Sequence, residues 1–256
     1  MGGWASENWH QSEWCFDGPL FNLELEIYIR YSICFSYLKS HSWSRILLDD
    51  SEPMDDESNF YKADWTDFYP DACEVIPPDA PAPRDYPILI SCFADTDHAG
   101  NRITRRSHTG VKIFCNRTPI QWYLKRQNTV KSSSFSSEFV ALRIATEMIE
   151  ALRYKLWMFG IPLKGPTTVY CDNNSEVANS THPESTLHKK HNCIAYHKVR
   201  ELVATGTIRI AKEDSATNIA DMLTKIILGP RLKDLCSRVL YWFKTNLFVI
   251  WCFWGD

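Results

Sequence analysis

The apolar run Ile88–Phe93 and the acidic stretch behind it constrain the fold of this chain more than any other segment. The run is rich in β-branched and aromatic residues, which is typical of a buried strand. Asp95 and Asp97 follow directly, before a Gly100–Asn101 turn. We predict a central strand over residues 87–95 with a carboxylate at its tip. A rigid carboxylate there suits metal-dependent phosphoryl chemistry, although Asp and Gly also simply end strands.

The sequence after residue 86 predicts a mixed α/β domain. Two further strand-like runs at 109–115 and 119–123 follow on short connections and predict an antiparallel meander. Helical periodicity then predicts a helix from Phe135 to Phe159, between a Ser-rich cap region and Gly160. Further strands are predicted at 167–171 and 207–211, with helices at 175–179, 188–204, 217–225 and beyond residue 229. This order predicts a five-stranded mixed sheet flanked by helices.

Charge is unevenly distributed along the chain. Residues 1–85 carry five basic and 17 acidic side chains, whereas residues 86–256 carry 23 basic and 14 acidic ones. Together with the Pro-rich stretch, this charge asymmetry predicts that the chain is divided into four parts. They are an acidic Trp-containing leader of unknown fold at 1–60, a Pro/Asp-rich linker at 61–86, the α/β domain at 87–227, and a C-terminal helix with an apolar tail at 228–256. A basic domain suits a polyanionic partner, with a solvated basic surface as the alternative.

Cysteine usage and hydropathy set expectations about the environment. Nine cysteines without a CxxC pair, and the absence of a secretory signal, favour reduced thiols inside a cell. No apolar run reaches the roughly 18 residues that a spanning helix needs, so we expect no membrane partner. His188, His191, Cys193 and His197 could be zinc ligands, but they do not share one helical face. Caps and core contacts are the simpler interpretation of these four.

Three further carboxylates occur in settings like that of Asp95. Glu138 lies in the first turn of the predicted long helix, Asp172 ends the fourth predicted strand, and Asp221 lies in the last helix of the domain. If the first and fourth strands are neighbours, Asp95 and Asp172 emerge side by side. Clustered acids repel one another, and magnesium or manganese, which prefer oxygen ligands, would relieve that repulsion. Two such ions would support phosphodiester cleavage, whereas each acid alone could equally be a cap or a surface residue.

Residues 87–225 resemble the ribonuclease H domain of copia-type retrotransposon polyproteins. The matching motifs are Asp95–Gly100, Arg106–Gly110, Pro119–Trp122, Lys125–Val130, Ser137–Leu142, Tyr170–Asn173, Lys190–His191, Tyr196–His197, Arg200–Glu201 and Ala220–Lys225. The sequence departs from the family at Ser136 and Cys193, where the family carries acids.

The resemblance implies a ribonuclease H-like fold in which four acids hold two Mg²⁺ (or Mn²⁺) ions. These are Asp95, Glu138, Asp172 and Asp221. The implied function is a metal-dependent endonuclease that cleaves the RNA strand of an RNA–DNA hybrid. We expect the sheet to fix Asp95 and Asp172, which would anchor both ions. Asp221 follows a loop that we expect to be mobile, so it would grip one ion only.

Basic and polar residues near the predicted strand ends complete the predicted site. We expect the following to contact nucleic acid: Arg102, Arg105, Arg106, Lys125, Arg126, Gln127, Asn173 and His191. A solvated basic edge is the alternative for the cations. The alternative function is an inactive retroelement remnant or a nucleic-acid-binding module. Other retroelement proteins are candidate partners, and the sequence leaves the oligomeric state open.

Overall fold

The computed structural model describes residues 32, 35, 36, 39, 42, 44–53, 60–84, 86–187, 193–227 and 229–241. The chain divides into two compact units, residues 1–44 and 45–256. Most of the predicted leader lies outside the described residues, as do residues 188–192 and the apolar tail from 242 onward. The four-part division of the chain therefore stays a prediction.

The second unit is built on a five-stranded mixed sheet. In chain order the strands are β1 (Arg45–Ile46), β2 (Ile90–Asp97), β3 (His108–Cys115), β4 (Thr118–Arg126), β5 (Thr167–Cys171), β6 (Ile208–Lys212) and β7 (Leu240–Tyr241). The large sheet has the order β4-β3-β2-β5-β6, while β1 and β7 form a separate antiparallel pair. Strands β2, β3 and β4 are antiparallel, and β5 and β6 run parallel to β2. The predicted fold class is confirmed, because this is the strand order of a ribonuclease H-like fold.

Helices cover both faces of this sheet. They are α1 (Ser134–Met158), α2 (Asn174–Thr181), α3 (Cys193–Ala204), α4 (Asp221–Thr224) and α5 (Gly229–Ser237). Neighbouring residues of a strand point to opposite faces, so Ile113 joins one core cluster and Phe114 joins the other. The larger cluster packs α1 and α3 against the sheet, and the smaller one packs α5 on the opposite face. Among the described residues, no helix combines the length and the apolarity needed to cross a membrane.

The long helix α1 has the predicted boundaries to within one residue. Ser133 caps its N-terminus, and Gly160 follows its last turn with a φ of 72°, a backbone conformation that glycine adopts without strain. The predicted helix at 217–225, by contrast, is only the four-residue α4. Asp214 and Asn218 explain the difference, because each side chain accepts a hydrogen bond from the backbone N–H two residues later. Such local bonds replace the helical pattern with turns.

Residues before the domain also contact it. The Arg200 guanidinium lies over the Trp65 ring, with Cζ 4.8 Å from the ring centroid. Glu74 accepts two hydrogen bonds from Arg153, at 2.6 and 2.5 Å. The segment 60–84 therefore packs on the domain through specific side chains, in addition to its Pro-rich extended stretch.

Candidate metal centre

Two neighbouring parallel strands bring the first two acids to one edge of the sheet. In β2 and β5, Phe93 pairs with Tyr170, and their rings stack with centroids 4.7 Å apart. Asp95 and Asp172 each lie two residues beyond that pair, which places them side by side. β2 continues to Asp97, so Asp95 lies inside the strand and not at its tip as predicted. The extension exists because β2 stays paired with β3 as far as Asp97.

The one-turn helix α4 supplies the third acid, Asp221. Gly110 in β3 allows α4 to approach, because a Cβ there would lie 2.7 Å from the Thr224 methyl group. The Asn218 amide also donates to the Ala94 carbonyl at 3.2 Å, which ties the preceding turn to β2. One carboxylate oxygen from each of Asp95, Asp172 and Asp221 lies within 4.8 Å of the other two. We call this group the acid triad.

Burial differs among the members of the acid triad. Asp221 is 1% exposed, whereas the Asp172 side chain is 18% exposed. Asp221 is therefore the more enclosed of the two, and the expectation that it grips one ion only stays a prediction. Burial, with a smaller contribution from the charge of Asp221, raises the pKa of the Asp95 carboxyl to about 6. A hydrogen bond from the Thr224 hydroxyl and the charge of Lys225 limit that rise.

A lysine ammonium lies among the three carboxylates. Lys225 Nζ is 2.7 Å from Asp221 Oδ1, 3.1 Å from Asp95 Oδ1 and 3.8 Å from Asp172 Oδ2. Burial pulls the pKa of Lys225 down, but its hydrogen bonds and charge contacts with Asp221 and Asp95 raise it overall. Sequence reasoning missed this role, although Lys225 follows Asp221 by four residues in a predicted helix, a spacing that puts two side chains on one face.

Two outer oxygens of the acid triad have other partners. The Thr224 hydroxyl donates to Asp95 Oδ2, and Arg231 Nη2 lies 2.5 Å from Asp221 Oδ2. Arg231 also donates to the Ala216 carbonyl at 3.0 Å, which fixes the turn before α4. Thr224 and Arg231 thus leave the Oδ1 atoms of Asp95 and Asp221 to Lys225, whereas Asp172 Oδ2 also accepts a hydrogen bond from the Ser215 hydroxyl at 3.1 Å.

Glu138 lies beside the acid triad and is not a member of it. It is the fifth residue of α1, in the second turn and not in the first as predicted. The Asn173 amide donates a hydrogen bond to its carboxylate. Burial raises the pKa of Glu138, and the charge of Asp172 adds to the rise.

A fifth acid, Glu176, was not predicted from the sequence. It is 2% exposed in the first turn of α2, and burial raises its pKa well above the usual range, with a contribution from the charge of Glu138. Nothing in its local sequence distinguishes it from a solvated residue near a helix start. Asp97, the second acid after the apolar run, lies outside the acid triad, and its Oδ2 is 2.8 Å from His108 Nδ1.

The five cations that are predicted to contact nucleic acid are exposed or half-buried. Arg102, Arg105, Lys125 and Arg126 are exposed, and Arg106 is half-buried. The pairing of His108 with both Asp97 and Arg126 puts the β2–β3 loop and the end of β4 at one edge of the sheet.

The polar candidates are more tightly bound within the fold. Gln127 is buried, and its amide donates to the Thr109 hydroxyl at 3.1 Å and to the Ser137 carbonyl at 2.9 Å. Asn173 caps α2 through its side-chain oxygen. His191 lies outside the described residues.

The chemistry of the acid triad fits a hard divalent cation. Within the described part of the chain, this group consists of carboxylate oxygens without sulfur or imidazole. Oxygen ligands of this kind suit magnesium and manganese, and a divalent charge offsets the repulsion between closely spaced anions. Asp95, Asp172 and Asp221 could therefore hold a metal ion.

The strand order and the acid triad define a ribonuclease H-like domain with a candidate metal site. Over 59% of its length, the chain is homologous to copia-type Pol polyproteins. It is 32% identical over 154 residues to the retrovirus-related Pol polyprotein from transposon TNT 1-94 of Nicotiana tabacum, covering 59% of this chain and 11% of that protein. It is 27% identical over 152 residues to the corresponding polyprotein from transposon RE1 of Arabidopsis thaliana, covering 59% and 10%. The chain thus spans about a tenth of the length of these relatives, and no protein-family model matches it.

Solved structures of ribonucleases H also resemble this chain. Ribonuclease H1 from Halobacterium salinarum is 18% identical, with a TM-score of 0.41, and the match covers 57% of this chain and 98% of that one. LC11-RNase H1 in complex with an RNA/DNA hybrid is 15% identical, with a TM-score of 0.43 and coverage of 53% and 93%.

Proposed function

We propose that this chain is a metal-dependent endonuclease that cleaves the RNA strand of RNA–DNA hybrids. The observation that carries the proposal is the acid triad at the edge shared by β2 and β5, where three carboxylates lie within 4.8 Å of one another. Folding concentrates negative charge there, and divalent cations are the ligands that such a site suits best.

Each acid has a part in the proposed reaction. Asp95, Asp172 and Asp221 would hold Mg²⁺ or Mn²⁺, and we keep Glu138 as a ligand of a second ion because its carboxylate interacts with Asp172. When bound, the ions would supply Lewis acidity and activate water for phosphodiester cleavage.

The exposed cations at the same edge support a nucleic-acid substrate. Arg102 and Arg105 lie in the β2–β3 loop, and Arg126 ends β4. Such side chains bind phosphates without reading base sequence. Selection of a hybrid would then depend on helix shape and on the 2′-hydroxyl of the RNA strand. Other retroelement proteins remain proposed partners.

One observation favours a second candidate, a nucleic-acid-binding domain without catalytic activity. The Lys225 ammonium contacts all three members of the acid triad. If that contact persists in the presence of divalent ions, the fold would bind nucleic acid without cleaving it.

A cleavage assay separates the two candidates. We expect the chain to cut the RNA strand of a labelled hybrid with Mg²⁺ or Mn²⁺, to leave duplex DNA intact, and to stop in excess chelator. The matched variant Asp172→Asn should lose about a hundredfold or more in rate while it still binds the hybrid. Hybrid binding without cleavage by the parent would support the binding module, and undiminished cleavage in chelator would refute the metal-dependent mechanism.

A further inference from the structure

The Lys225 ammonium is the one cation of the described residues that contacts every member of the acid triad. We propose that Lys225 is a built-in counter-ion, which holds the three carboxylates together and which a divalent ion must displace in order to bind. The inference rests on the metal site of the proposed function, and it adds a residue that controls the affinity of that site.

Hydrogen-bond partners identify the oxygens that a metal ion would use. Thr224 and Arg231 engage the outer oxygens, Asp95 Oδ2 and Asp221 Oδ2. The Oδ1 atoms of both residues remain, and these are the atoms that Lys225 contacts at 3.1 and 2.7 Å. An ion held by the acid triad and the Lys225 ammonium therefore require the same two oxygens. They also repel each other, so their binding is competitive.

Lys225 can leave the site without a backbone movement. Its N–H donates to the Asp221 carbonyl at 2.9 Å, and its backbone is extended where α4 ends. The side chain is 36% exposed, so the flexible stem can swing the ammonium into water. Arg231 differs, because it binds an outer oxygen and also the Ala216 carbonyl, and it can stay when the ion enters.

Direct titration with Mn²⁺ tests the competition at neutral pH. We expect Lys225→Gln to bind the first Mn²⁺ roughly tenfold more tightly than the parent, since no ammonium has to be displaced. Lys225→Arg keeps the charge and should retain an affinity near that of the parent. Lys198→Gln is the matched control, because Lys198 pairs with Glu150 alone among the residues that the structure describes, and it should not change Mn²⁺ binding.

Melting in chelator provides a second measurement. Lys225→Gln should melt at a lower temperature than the parent, because the acid triad loses its counter-ion. Added Mn²⁺ should raise the melting temperature of Lys225→Gln more than that of the parent. Nitrogen-15 spectra of the parent give a test that needs no variant. The Lys225 ammonium signal should be present in chelator and should shift or disappear as Mg²⁺ is added.

Each outcome decides the proposal. If Lys225→Gln binds Mn²⁺ and the parent does not, the proposal holds in its strongest form, in which the lysine permanently replaces the ion. Equal or weaker Mn²⁺ binding by folded Lys225→Gln, or no binding by either chain, would overturn it. So would a Lys225 signal that stays unchanged at saturating Mg²⁺. Hybrid cleavage is not a readout, so competitive metal binding without cleavage would refute the proposed function and leave this inference intact.

Discussion

At Asp95, burial and local charge act in opposite directions. The carboxyl lies inside a paired strand, and loss of solvent raises its pKa to about 6, above the ordinary value of 3.8. The Thr224 hydroxyl and the Lys225 ammonium stabilise its ionised form. The residue therefore keeps its negative charge at neutral pH through two contacts that α4 and its C-terminus provide.

This raised pKa predicts a pH dependence of stability in chelator. As the pH rises from about 4 to about 6, the unfolded chain ionises Asp95 before the folded chain does, so the free energy of unfolding falls. Asp95→Asn lacks this titration. The melting temperature of Asp95→Asn minus that of the parent should therefore be larger at pH 7.5 than at pH 4. Thermal melting across this range checks the prediction, and parallel curves for the two proteins would contradict it.

Some residues of the candidate site could be predicted from the sequence, and others could not. Asp95 and Asp172 follow apolar runs, and a sheet that pairs those runs in parallel brings their ends together. The position of Lys225 depends on which rotamer a long side chain adopts among charges from three separate elements. Glu176 is buried although the two residues before it in α2, Asn174 and Ser175, are exposed, and no local pattern reveals this.

At the scale of elements, the site depends on how closely α4 approaches the sheet. Gly110 makes that approach possible, because a Cβ would also lie 3.1 Å from the Leu223 Cβ. α4 has only four residues, and the turns before it are held by Asp214 and Asn218. The helical pattern of the sequence suggested a longer element, since periodicity alone does not show side chains that compete for backbone N–H groups.

Gly110→Ala should displace α4 and weaken the site. We expect the free energy of unfolding to fall by about 1–3 kcal/mol, because helix and strand must separate to make room. Mn²⁺ binding should weaken as well, since Asp221 moves with α4. Gly229→Ala is the control, because a Cβ there meets nothing within 4 Å. Denaturant unfolding and Mn²⁺ titration check both variants, and equal behaviour of the two would contradict the prediction.

At the scale of the whole molecule, the segment 60–84 packs on the domain through distant partners. The Arg153 side chain is 4% exposed and pairs with Glu74. It also donates to the Gly165 carbonyl at 2.9 Å. A Pro-rich composition predicts an extended linker and says nothing about such partners. The sequence positions of Glu74 and Arg153 differ by 79, so no local pattern could connect them.

Removal of the Glu74 carboxylate should destabilise the domain. Glu74→Ala leaves a buried guanidinium without its ion pair, and we expect a loss of about 3 kcal/mol. Glu52→Ala is the matched control, because Glu52 and Lys164 are both about half exposed, and its loss should stay within about 1 kcal/mol. Urea unfolding measures both variants. Similar losses would show that the segment 60–84 contributes little to the domain.

The small pairing of β1 with β7 has a mechanical consequence. Arg45 lies opposite Tyr241 and Ile46 lies opposite Leu240, so the outer ends of the two strands meet at the same rung of an antiparallel pair. Tension applied between Arg45 and Tyr241 would load the hydrogen bonds of that pair one after another. We expect the domain to unzip from this point at low force in a pulling experiment, before the five-stranded sheet bears any load.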